Sequence, residues 1–109
     1  MTTPAPSDVQ VIDDPDTHRY AIWVQGERAG FALYTHKPGR YIFTHTEIDD
    51  RFEGQGLGSR LAEAALDDVR AKGERVVPLC PFIAAFIEHH PAYADLVDHE
   101  LLERLEAGS

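Results

Sequence analysis

The chain has 109 residues, 43% of them apolar, and a formal net charge of −9 from nineteen carboxylates against ten basic side chains. That length builds one core, so a single domain over 1–109 is expected, with residues 1–7 frayed. No apolar run nears the roughly 20 residues of a spanning helix, no secretory leader pattern opens the chain, and no basic stripe offers itself to nucleic acid. In chain order, Val9–Ile12 is a short apolar–polar segment. His18–Gln25 carries Tyr20, Ile22 and Val24 at period two, Gly26-Glu27 marks a tight turn, and Arg28–His36 resumes with Phe31, Leu33 and Thr35. Pro38-Gly39 is a second turn before Arg40–Ile48, rich in β-branched and aromatic residues. These four segments predict an antiparallel meander.

The period then changes. Leu57, Leu61, Ala65 and Val69 recur at helical spacing, with Ala62 and Leu66 widening the stripe and Glu63, Asp67, Asp68 and Arg70 opposite. This helix ends at Gly73. Arg75–Leu79 suits a buried strand, and Pro81 opens a helix over Phe82–His89, since proline fits the first helical position. Pro91 interrupts it, and Asp98–Leu105 reads as a last short helix. The sum is an α+β layout: a mainly antiparallel sheet, a strand–helix–strand unit over 41–79 with a right-handed parallel crossover, and C-terminal helices.

Glu53-Gly54-Gln55-Gly56-Leu57-Gly58-Ser59 lies between a predicted strand and a predicted helix. Glycine permits positive φ and close backbone approach of a ligand. The helix start adds free N–H groups and a positive dipole end, and together they make an anion site. A Walker A loop needs Lys followed by Ser or Thr, which Ser59-Arg60 does not supply. A dinucleotide fingerprint needs wider spacing and an all-parallel setting. An acetyltransferase loop, joining a long strand to a helix after a meander, fits these surroundings. On the glycines alone, a turn that binds nothing stays equally open.

Thr46-Glu47-Ile48-Asp49, followed by Phe52 through Leu61, resembles motif A of the GNAT acetyltransferases. Val76-Val77-Pro78-Leu79-Cys80-Pro81-Phe82 is similar to a minimal, single-domain subgroup of that superfamily, about this long and without the usual N-terminal helices. The resemblance covers roughly residues 8 to 97. It implies a compact GNAT-like fold that binds acetyl-CoA (CoA) through Ile48, Gly54, Gln55, Gly56, Leu57, Gly58, Ser59 and Arg60. Where the superfamily loop begins with Arg or Gln, this chain has Glu53, a carboxylate beside the expected pyrophosphate; Arg51 or Arg60 is expected to supply positive charge there.

Three side chains are candidates for the chemistry. His45 and Glu47 stand two apart on a predicted strand and share a face. Histidine is the side-chain type whose ordinary titration falls near neutrality, so His45 is the expected general base, with Glu47 orienting it or acting through water. Hydrogen-bonded positions on a solvated sheet face would look the same. Cys80 precedes Pro81 at a helix start, where a thiol can become nucleophilic; by the resemblance it accepts the acetyl group or lines the pocket near the thioester. As a residue alone it reads equally as a small buried hydrophobe. Tyr93 is expected to pack first and donate a proton second, and His89 and His90 to suit a helix end. Phe82, Ile83, Phe86 and Ile87 are expected mainly as core, with part of that face against the pantetheine arm.

The function implied is acetyl-CoA-dependent N-acetyl transfer to an unidentified amine. A non-catalytic acyl-CoA-binding module, or a small interaction protein whose glycine loop is only a turn, are the alternatives. The acceptor is a small-molecule or peptide amine, to which the acidic balance points as cationic. No nucleic acid, membrane or metal is expected, since no Cys/His cluster has ligand spacing. A monomer or weak dimer is expected, and with one cysteine and no possible internal disulfide, a reducing cytoplasm is the expected compartment.

Overall fold

The structure is a computed structural model that describes residues 9–107; the expectation for residues 1–7 lies outside that range. Five strands form one sheet in sequence order: β1 (Val9–Asp14), β2 (Arg19–Val24), β3 (Glu27–Lys37), β4 (Arg40–Ile48) and β5 (Arg75–Pro78). The first four pair antiparallel, and β5 runs parallel to β4 after the crossover helix α1 (Leu57–Ala71). Helices α2 (Pro81–His89) and α3 (His99–Ala107) follow. The α+β layout is the expected one. Two tight 3-10 turns, Asp50–Phe52 and Pro91–Leu96, were not in it. Such turns are too short to show an apolar period.

β2 and β3 are joined by Gln25 and Gly26, not by Gly26 and Glu27 as the spacing predicted. Both carry positive φ, 49° and 82°, and Glu27 pairs directly with Val24. This primed two-residue turn matches the twist of its strands. Two bulges then shift the alternation. Ala29 is the extra residue between the pairs Trp23–Arg28 and Ile22–Gly30, and Thr44 the extra residue between Tyr34–Phe43 and Leu33–His45. Tyr41 and Phe43 face the helices, and strict alternation would carry His45 and Glu47 onto that same face. The bulge turns those two to the opposite face, opposite Leu33 and Phe31, and points Thr46 and Ile48 toward the helices.

The core lies on one face of the sheet. Leu57, Leu61, Ala62, Ala65, Leu66 and Val69 of α1 are buried against Tyr20, Ile22, Val24, Tyr34, Tyr41 and Phe43, and Ile83, Phe86 and Ile87 of α2 join the same cluster. Each large side chain buried there contributes roughly 1.5–3 kcal/mol. Every buried helical residue belongs to this cluster, while Ala21, Ile42 and Val77 are buried outside it, on the opposite face. That second face is called the open face below. α1 stops where Gly73 takes φ 71°: the Gly73 N–H donates to the Arg70 carbonyl at 3.0 Å and the Glu74 N–H to Val69 at 3.1 Å, the paired bonds of a Schellman end.

A charged clasp closes one end of the core. The Tyr20 hydroxyl donates to Asp68 and the Tyr34 hydroxyl to Asp13, both at 2.6 Å. Lys72 bridges the two carboxylates, 2.7 Å from Asp68 and 2.8 Å from Asp13. Burial pushes the Asp68 carboxyl up, but the bonds from Lys72 and Tyr20 outweigh it and hold the group below its ordinary range. A carboxyl held low in the fold contributes stability above its unfolded value of about 3.9, and that contribution is lost as pH falls through the folded value. Asp68→Asn is therefore expected to cost about 1 kcal/mol near neutral pH, a figure kept small by solvent screening. It should also flatten the acid limb of the stability profile. Urea midpoints at about pH 7 and about pH 3 check this; an unchanged difference between the two would remove Asp68 from the acid response.

Candidate functional site

β5 pairs with only the first half of β4. The register runs from Arg40–Arg75 to Phe43–Pro78, and the Cys80 N–H then donates to the Phe43 carbonyl at 2.9 Å. Beyond that bond, Thr44–Ile48 has β3 on one side and, among the described residues, no strand on the other. An unpaired strand edge presents N–H and C=O groups to any extended ligand beside it. This edge runs straight into the glycine loop.

The loop begins with the turn at Asp50–Phe52, whose entry Asp49 caps by accepting from the Arg51 N–H at 3.0 Å. Gly54 and Gly56 then take φ 82° and 72°, which only glycine adopts freely. Gly56 stands at the N-cap of α1, no side chain caps that end, and no acidic residue lies in its first turn. The N–H groups of Leu57, Gly58 and Ser59 therefore have no helical partner and face outward with the dipole's positive end. A cavity of about 300 Å³ opens over them, lined by Ile48, Gly54, Gly56, Leu57, Gly58 and Ser59 together with Phe52, Glu53 and Phe82.

Gln55 and Arg60 do not line this cavity. The Gln55 amide oxygen is shut from solvent without a donor among the described residues. Of the two cations expected to offset Glu53, Arg51 is turned away: it lies 3.4 Å from Asp49 and 4.0 Å from Glu27, with its guanidinium over the Phe52 ring. Arg60 is half-buried and makes no ion pair among the described residues. Glu53 lines the cavity and is exposed.

His45 and Glu47 come together as expected, with Nε2 and Oε2 3.7 Å apart and side chains 56% and 61% exposed. Cys80 does not join them. It is 3% exposed on the helical side of β4, where its thiol donates to the Thr46 hydroxyl at 3.3 Å. Thr46 is a residue that sequence reasoning missed: its place between His45 and Glu47 put it on the other face of the strand, and that was the available signal. Tyr93 packs, as expected. Its ring lies 5.8 Å from Phe86 and its hydroxyl donates to Asp67 at 2.8 Å, while burial first and that bond second push its pKa up to about 12. His90 stacks on Phe86, its Nδ1 2.8 Å from the Phe86 carbonyl. Among the described residues, no three His, Cys, Asp or Glu side chains gather where a metal could sit.

Gly58 serves packing as well as the loop. A Cβ there would lie 2.7 Å from the Phe82 ring, so the absent side chain lets α2 close on α1. Gly58→Ala is expected to push Phe82 toward the cavity and cost about 1–3 kcal/mol. Thermal unfolding checks this; an unchanged midpoint would mean that the partly exposed ring swings aside freely.

With this geometry in hand, three comparisons bear on it. The sequence profile of the GCN5-related N-acetyl-transferase family matches residues 19–96. Protein NATD1 of Bos taurus is 36% identical over 75 residues, 68% of this chain and 61% of that one, so the chain spans about six-tenths of that relative's length. Protein NATD1 of Gallus gallus is 29% identical over 86 residues, 76% of this chain and 77% of that one. Among solved structures, a GCN5-like putative N-acetyltransferase from Staphylococcus aureus superposes with a TM-score of 0.63 at 19% identity, covering 84% of this chain and 89% of that one. Ard1 from Thermoplasma volcanium superposes with a TM-score of 0.50 at 24% identity, covering 61% of this chain and 45% of that one. At these identities the structures speak for the fold.

Proposed function

The chain belongs to the GCN5-related N-acetyltransferase family, and on that premise we propose that it transfers an acetyl group from acetyl-CoA to an amine. The observation that carries this reading is the unpaired edge of β4 running into the glycine loop. The residues suit such a donor. The open N–H groups of Leu57, Gly58 and Ser59 would hold the pyrophosphate, with Arg60 nearby. The free edge from Thr44 to Ile48 would pair with the amides of the pantetheine arm, and Phe82 would flank it. Bound there, acetyl-CoA supplies the acetyl group as an activated thioester.

On the open face, His45 would take the proton of the attacking amine while Glu47 orients the imidazole. The Cys80 thiol, held by Thr46 where β4 and β5 part, stands on the donor's side of the strand. A second reading, a module that binds acyl-CoA without turning it over, is favoured by one observation: His45 and Cys80 occupy opposite faces of β4 and form no nucleophile–base pair. The free thiol suits a reducing compartment, and among the described residues no helix is long and apolar enough to cross a membrane.

Calorimetric titration of acetyl-CoA is expected to give roughly micromolar binding at one site per chain. Gly56→Glu, which fills the N-cap with a carboxylate, should abolish it while the protein remains folded by circular dichroism. Retained binding would move the cofactor elsewhere. Glu53→Gln is expected to tighten CoA binding about two- to fivefold, about 0.4–1 kcal/mol, with the gain shrinking at high salt; weaker binding would show that Glu53 assists the site. Thiol release from acetyl-CoA in the presence of amines separates the two readings. His45→Ala is expected to lower the rate about a hundredfold with CoA affinity unchanged. Full turnover by both His45→Ala and Cys80→Ala would discard the assigned chemistry.

A further inference from the structure

The open face of the sheet has a composition at odds with the molecule's charge. Its centre is apolar, built from Ile12, Trp23, Phe31 and Leu33, and Ile12 is 48% exposed. Over that centre stand two cations. The Arg19 guanidinium lies 5.4 Å from the Phe31 ring centroid and that of Arg28 lies 5.8 Å from it. Neither pairs with a carboxylate among the described residues. This holds although Asp14 lies opposite Arg19 in the register and Glu47, Asp49 and Asp50 line a cleft with Arg28. Arg19 Nε is moreover shut from solvent and has no acceptor among the described residues.

A chain with nineteen carboxylates and ten basic residues has counter-ions in excess, so two unpaired guanidinium groups on one ring are an arrangement held open by stacking. Stacked on an aromatic face, an arginine keeps its fork of N–H donors free, and the group matching that fork is a carboxylate, bound bidentately. The apolar centre spans three strands, about 10 Å at the ordinary strand spacing. That is the width of a peptide segment with large side chains, not of one small anion.

We propose that this face docks an acidic peptide segment, whose carboxylates meet Arg19 and Arg28 and whose apolar side chains cover Ile12, Trp23 and Phe31. The apolar centre at Ile12, Trp23 and Phe31 calls for apolar side chains between the charges, which a phosphate backbone lacks, and this sets a peptide apart from a nucleic acid. The proposal touches the acetyl-transfer reading at one point: the Phe31 ring is 6.3 Å from the His45 ring. An amine flanked by the docked segment would thus reach the expected base, and the acceptor would be acidic despite the cationic one that the net charge suggests.

Trp23 is the only tryptophan and lies on this face, so its fluorescence reports docking without any turnover. The probes are a blocked hexapeptide, Glu-Glu-Leu-Glu-Glu-Leu, and its counterpart with lysine for each glutamate. The acidic peptide is expected to shift the emission saturably, with an affinity that falls as salt rises. The lysine peptide should give no shift, and the double variant Arg19→Gln/Arg28→Gln should bind the acidic peptide at least tenfold more weakly while keeping its CoA affinity and circular dichroism. Equal response to both peptides, retained affinity in the double variant, absence of any shift, or equal binding of a single-stranded oligonucleotide would each overturn the proposal. If docking holds and a free-amine version of the peptide is not acetylated, acetyl transfer to this segment fails and the docking face stands.

Discussion

The hydrogen bond from the Cys80 amide to the Phe43 carbonyl fixes where β5 leaves β4. Up to that bond β4 is an interior strand, paired on both sides and packed into the core. After it the same strand is an edge with its backbone groups unspent. A buried strand cannot afford such groups, and an exposed one normally hides them. Here the free stretch is short and ends in a loop that presents further N–H groups at the start of α1. The fork thus places backbone donors and acceptors in one continuous line, and the cavity at its end follows from that placement.

A site made of backbone is written in the sequence chiefly by missing side chains. Gly54 and Gly56 supply backbone angles, Gly58 supplies clearance for Phe82, and Gly30 has its own constraint, since a Cβ there would collide with the Glu47 carbonyl. Side chains enter around the rim. Glu53 lines the cavity and Arg51 is drawn off to Asp49, while Arg60 lies outside the lining. The helices meanwhile all serve one face of the sheet, and a chain of this size leaves the other face with its arginines and aromatics in the open.

The fold was largely legible because its signals are periodic. The β4 bounds, the α1 stripe and the proline start of α2 follow from β-branched and aromatic content, helical spacing and fixed φ, and the strand ends elsewhere moved by a residue or two. The glycine loop was legible from its place between strand and helix. The relation of His45 and Glu47 to Cys80 was not, because it depends on the bulge at Thr44. No residue type announces that bulge, yet it reverses which face the second half of β4 presents. The Gln25-Gly26 turn was misplaced by one residue for a similar reason: a non-glycine residue with positive φ leaves no plain mark. The fate of Arg51 depended on a 3-10 turn too short to have a period.

The charged clasp at Asp13, Asp68 and Lys72 bears on how the molecule comes apart. β1 is the outermost strand, the kind of segment that ordinarily breathes on its own. Its C-terminal end is held through Asp13 to Lys72 at the end of α1 and to Tyr34 in the middle of the sheet. Opening that end breaks contacts with the crossover helix, so it shares the fate of the whole core, whereas among the described residues the Val9 end of the same strand is held by apolar packing and not by an ion pair. Amide exchange along β1 should therefore be graded, slow beside Asp13 and fast beside Val9, and the strand's inner end joins the last cooperative unit to open.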